Sequence, residues 1–80
     1  MKKRVRKSTM PEEIINLGIR IQDIINEKGL KQRDVAYDAG LDVENLRKYI
    51  KGTQEMKVST MLRIVRALDI SVEELFKKEL

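Results

Sequence analysis

Apolar residues recur along this chain at the three-to-four-residue spacing of helices, and no stretch alternates with the two-residue period of a strand. Ile14, Leu17, Ile21 and Ile24 repeat at i, i+3, i+7 and i+10 and predict the buried stripe of a first helix. Thr9, Pro11 and Glu12 read as its start: an oxygen-bearing cap, a first-turn proline and an acid three residues after the cap. Gly29 stops it after Glu27 or Lys28. A second helix is expected over 32–39, with Val35, Ala36 and Ala39 apolar, and a third over 43–50, with Leu46, Tyr49 and Ile50 apolar. Gly52 ends the third helix, and Thr53–Lys57 forms a polar connection. A fourth helix over 58–68 turns Met61, Leu62, Val65 and Leu68 inward, with Asp69 in the post-helix position. Ser71 to Glu74 reads as a capping box opening a fifth helix that points Leu75 and Phe76 at the core. The fold class is all-α, a compact five-helix domain over residues 9–80 behind a flexible basic arm at residues 1–8.

The most informative segment is Ala36-x-x-x-Gly40 followed by Leu46 and Tyr49. Ala36 is small where two helices must cross closely. Gly40 falls where a helix has to end in a left-handed conformation, which costs a residue with a Cβ roughly 1–2 kcal/mol. Two helices joined steeply through such a turn can lay the second one into a DNA major groove.

This pattern resembles the helix-turn-helix of the lambda-repressor-like, Cro/C1-type (XRE) family of bacterial and phage regulators. The likeness runs from Leu17 to Phe76. It includes Leu17-Gly18-x-x-Ile21, Gly29-Leu30-x-Gln32, Val35-Ala36, Gly40-Leu41, Leu46, Lys51-Gly52, Ala67-Leu68-x-Ile70-Ser71 and Leu75-Phe76. Each piece is common by itself; together, in order and at these spacings, they specify a fold. The resemblance implies a sequence-specific regulator, a repressor by expectation, that binds double-stranded DNA as a homodimer in the cytoplasm.

Composition narrows the alternatives. The chain has 80 residues, no cysteine and no histidine, which removes disulfides, the usual zinc ligands and most nucleophile–base pairs. No enzyme activity, metal, cofactor or small-molecule ligand is expected, and no apolar run is long enough to span a membrane. The net charge is +4, but Lys2, Lys3, Arg4, Arg6 and Lys7 lie in the arm, so residues 8–80 sum to −1. Positive charge on the folded body must therefore be gathered on one side if that body binds DNA.

The third helix is the candidate reader. With Leu46 and Tyr49 inward, it presents Val43, Glu44, Arg47 and Lys48. Arg47 suits a bidentate contact to guanine, Lys48 reaches guanine or phosphate, and Val43 can meet a thymine methyl. Glu44 either accepts from cytosine N4 or simply complements the helix N-terminus, and Asp42 is the N-cap. The resemblance implies that Gln32, opening the second helix, holds a backbone phosphate; otherwise it is an ordinary first-turn residue. It also implies a second phosphate grip from the connection carrying Lys51, Thr53, Gln54 and Lys57. The arm follows a minor groove or supplies only salt-sensitive attraction.

Three departures from the family pattern stand out. An arginine and a glutamate that often pair across helices one and three are Ile25 and Ile50 here, which are expected to touch. The cap of the second helix is Lys31, which cannot accept a hydrogen bond. Two acids, Asp42 and Glu44, begin the reading helix. Ile15, Ile19 and Leu80 either form part of a dimer patch or widen the buried stripe. Because related small domains serve as antitoxins, a toxin protein is the alternative partner.

Overall fold

Local signals place the helices. The computed structural model describes residues 10–77 and contains α1 (Glu12–Glu27), α2 (Gln32–Ala39), α3 (Val43–Lys51), α4 (Val58–Leu68) and α5 (Val72–Leu75). Thr9 and Leu80 lie outside the described residues, and Pro11 itself occupies the position before α1, with no side-chain cap there. Ser71 Oγ accepts from the Glu74 N–H at 3.0 Å, which is the forward half of the expected capping box.

α2 ends as the turn requires. Gly40 is left-handed at φ 72°, its N–H donates to the Tyr37 carbonyl, and the Leu41 N–H donates to that of Ala36. α4 closes with the same pair of bonds around Asp69, at φ 59°. Aspartate tolerates this conformation better than most residues, yet it also sets a negative charge at the negative end of a helix dipole. Asp69→Gly is therefore expected to raise stability by about 0.5–1 kcal/mol, the relieved strain exceeding the added freedom of the unfolded chain. A thermal melt reads this as a gain of a few degrees; a lower melting temperature would contradict it.

α1 packs on α3, α2 on α4, and α5 closes the bundle against α1 and α4. Ile21, Leu46 and Ile64, one each from α1, α3 and α4, are fully buried at the centre, with Ile25, Val35, Ala36, Leu68 and Leu75 around them. Ile25 is buried, and Ile50 packs partly buried against the same core, so apolar burial occupies both positions where the family often has charges. Ile14 is only half-buried. Arg20 Nη2 donates to the Glu74 carbonyl at 3.0 Å and ties α1 to α5.

Two inward assignments need correction. Leu62 is 39% exposed, and Ile64 at 0% takes its place in the core. The apolar stripe of α4 is wide, and packing against α2 selects the edge carrying Ile64 and Leu68. Phe76 is 54% exposed, because α5 is a single turn that ends at Leu75. Adjacent helical positions point about 100° apart, so only Leu75 turns inward.

Gly18 sits at a close crossing of α1 and α3. A Cβ there would lie 2.5 Å from the Tyr49 carbonyl oxygen and closer still to that of Ile50. Ile15 also belongs to this contact, since its side chain lies against Gly52 at the end of α3. Ile15 nevertheless keeps 38% of its surface exposed and Ile19 53%, so neither is buried with the stripe.

Candidate nucleic-acid interface

The starts of α2, α3 and α4 are not alike. Lys31 and Lys57 stand before α2 and α4 in extended conformation, and neither makes a side-chain cap bond. A lysine has no acceptor to offer, so the first N–H groups of both helices are left for another partner, and each ammonium adds to the positive end of the dipole. α3 is closed instead: Asp42 Oδ1 accepts from the Glu44 N–H at 3.1 Å. The missing acceptor at Lys31 is therefore the same condition that makes a helix start attractive to an anion.

Along α3, Glu44, Arg47, Lys48 and Lys51 are exposed, while Leu46 and Tyr49 anchor the other face. Val43 is half-buried and packs on the core, which leaves only part of its side chain free. Arg47 Nη1 donates to Glu44 Oε2 at 3.0 Å. Both acids at the start of α3 thus have work within the protein, one as cap and one as ion-pair partner. Arg47 thereby offsets the charge of Glu44 in the free protein, while Asp42 keeps its charge at the start of the helix.

Gln32 is half-buried and bonded on both ends of its amide. Its Oε1 accepts from Arg47 Nε at 3.2 Å, and its Nε2 donates to Gln22 Oε1 at 2.6 Å. Gln22 in turn donates to Asn26 Oδ1 at 2.8 Å. The first residue of α2 and the central arginine of α3 are thereby joined directly.

In the connection after α3, the Thr53 N–H and its hydroxyl both donate to the Lys48 carbonyl, at 3.0 and 3.2 Å. Thr53 finishes the helix. Lys51, Gln54 and Lys57 are exposed. The arm residues Lys2, Lys3, Arg4, Arg6 and Lys7 lie outside the described residues.

Residues 20–79 match the family model of the Cro/C1-type HTH DNA-binding domain. The chain belongs to this family. No curated protein matches it in sequence. Among solved structures, the restriction-modification controller protein C.AhdI from Aeromonas hydrophila is similar at 29% identity, covering 82% of this chain and 100% of that one, with a TM-score of 0.79. The controller C.Esp1396I, solved as a tetramer with its natural 35 base-pair operator, is 23% identical over 82% of this chain and 87% of that one, with a TM-score of 0.78. The clp gene regulator ClgR from C. glutamicum is 22% identical over 81% of this chain and 84% of that one, with a TM-score of 0.77. The latter two likenesses bear on the fold.

As a Cro/C1-type domain, the chain has its helix-turn-helix in α2 and α3, as the Ala36–Tyr49 segment predicts. Among the described residues, no helix is long and apolar enough to cross a membrane. Sequence reasoning missed Gln22 and Asn26. Both sit on α1, outside every motif quoted for the resemblance, and only an i, i+4 amide pair hinted at them.

Proposed function

We propose that this protein is a sequence-specific transcriptional regulator that binds double-stranded DNA as a homodimer, with α3 in the major groove. The observation that carries this reading is the joining of Gln32, at the uncapped start of α2, to Arg47 on the exposed face of α3. A phosphate donor and a base reader are thereby held together on one side of the domain.

Arg47 and Lys48 read guanine, Glu44 discriminates at a neighbouring pair, and the free part of Val43 meets a thymine methyl. Gln32 and the first N–H groups of α2 take one phosphate. Lys51, Gln54 and Lys57, with the open start of α4, take another, and Thr53 shapes that loop. The arm residues Lys2, Lys3, Arg4, Arg6 and Lys7 add sequence-independent, salt-sensitive attraction.

The Glu44–Arg47 pair does not oppose this role. Both side chains are substantially exposed, and an i, i+3 surface pair is worth only about 0.2–0.5 kcal/mol. A bidentate guanine contact is worth about 1–3 kcal/mol, so DNA outcompetes the glutamate.

One short helix specifies only a few base pairs, and useful specificity needs two half-sites about one helical turn apart. Ile19 and Phe76 line an exposed groove between α1 and α5, which supplies apolar surface for pairing. Selection of duplexes from a random pool at about 150 mM salt tests both halves of the reading. Enrichment of an inverted repeat is the expected result. A single half-site would remove the dimer, and no enrichment at all would remove sequence-specific binding and turn the search to a protein partner such as a toxin.

A further inference from the structure

We infer that Gln22, on α1 and outside the helix-turn-helix, is a positioning residue for DNA recognition: its amide fixes Gln32, and through Gln32 the guanidinium of Arg47. The inference rests on the reading of α3 as the base-reading helix and adds to it a residue from a third helix.

The geometry has a direction. Arg47 Nε donates to Gln32 Oε1, Gln32 Nε2 donates to Gln22 Oε1, and Gln22 Nε2 donates to Asn26 Oδ1. Each amide thus receives at its oxygen and gives at its nitrogen, from α3 through α2 to α1. Turning any one amide over would oppose two donors or two acceptors, so each link holds the next in a single orientation. The bond to Asn26, one helical turn away on α1, sets that orientation at the rigid end: it draws the Gln22 nitrogen along α1 and leaves the Gln22 oxygen for α2.

Two consequences follow at the DNA face. Only one of the two Gln32 Nε2 hydrogens is used by Gln22, and the other remains for a phosphate beside the free N–H groups at the start of α2. Arg47 meanwhile has Nε bonded to Gln32 and Nη1 bonded to Glu44. Its long side chain is ordered before DNA arrives, so less rotamer freedom is lost when it meets a base. Such ordering favours the sequence that Arg47 reads and leaves the purely electrostatic attraction to random DNA untouched.

Gln22→Met keeps the length and helix preference of the side chain and removes its amide. With the duplex enriched by selection, Gln22→Met is expected to lose roughly fivefold in affinity, and to change little on random DNA of equal length. In an Arg47→Ala background the same change should cost clearly less than in the parent protein, because only the Gln32 phosphate contact is then left to loosen. In 15N spectra of the free protein, Gln22→Met should move the Arg47 Nε–H resonance, and Gln22→Glu, which retains an acceptor for Gln32, should restore it. An equal loss on both DNAs, additivity with Arg47→Ala, or an unmoved Arg47 resonance would overturn the role of Gln22. Unchanged operator affinity in Arg47→Ala alone would instead sink the reading of α3, and the Arg47 resonance would still decide whether Gln22 holds the arginine.

Discussion

Gly18→Ala is expected to destabilise the domain by about 2 kcal/mol or more, although helix propensity alone predicts a gain. In the interior of a helix, alanine is favoured over glycine by about 0.8–1 kcal/mol, because glycine gives up more backbone freedom on folding. At this position the added methyl would lie 2.5 Å from the Tyr49 carbonyl oxygen and nearer to that of Ile50. Both obstacles are backbone atoms of α3, so no rotamer change relieves them. α1 must move off α3, and the contact of Ile15 with Gly52 and the burial of Ile21 against the core move with it. For a domain of this size, 1 kcal/mol is about 4–8 °C, so the melting temperature should fall by roughly 10 °C. A melting temperature raised by a few degrees would mean that α1 and α3 do not approach this closely. Because the end of α3 is displaced in the variant, DNA affinity should fall with stability even though Gly18 is remote from the exposed face of α3.

Arg47→Ala is expected to cost about 1–3 kcal/mol on the selected operator, which is roughly five- to 150-fold in affinity. On random DNA the loss should be much smaller. The substitution removes a base contact and also releases Glu44 from its partner, leaving an uncompensated negative charge in the first turn of α3. Glu44→Gln added to Arg47→Ala should therefore recover part of the affinity on both kinds of DNA, without restoring the preference for the operator. Deleting residues 1–8 separates the remaining contribution: both affinities should drop and the salt dependence should flatten. Titrations of the variants at two salt concentrations distinguish the three effects. If Arg47→Ala weakens operator and random DNA equally, its guanidinium contacts phosphate and not a base.

Much of the candidate interface was legible because its signals are local. Asp42 as cap, Lys31 as a missing cap, Gly40 as turn residue and the buried pair Leu46 and Tyr49 each depend on neighbours within about one helical turn. The outward positions of Glu44, Arg47 and Lys48 follow from that inward pair. Thr53 was legible as a loop residue but not as the residue that closes α3, since its two bonds to the Lys48 carbonyl depend on how that turn is wound. The balance of charge was also hidden. Asp42 reads as a cap from the sequence, but the second acid reads as an obstacle until Glu44 is seen paired with Arg47.

The sequence by itself determined the helices, their limits apart from the start of α1, the turn between α2 and α3 and membership of the Cro/C1-type family. Caps, left-handed end residues and apolar periodicity act through bonds and sterics a few residues apart. The tertiary structure alone decided which edge of α4 is buried, exchanging Leu62 for Ile64, and left Phe76 on the surface. It also decided that Gly18 marks the crossing of α1 and α3, and that Gln22, Gln32 and Arg47 form one connected set. These features join residues ten to thirty-two positions apart. Their energies exist only once separate helices are packed, so no local pattern in the chain encodes them.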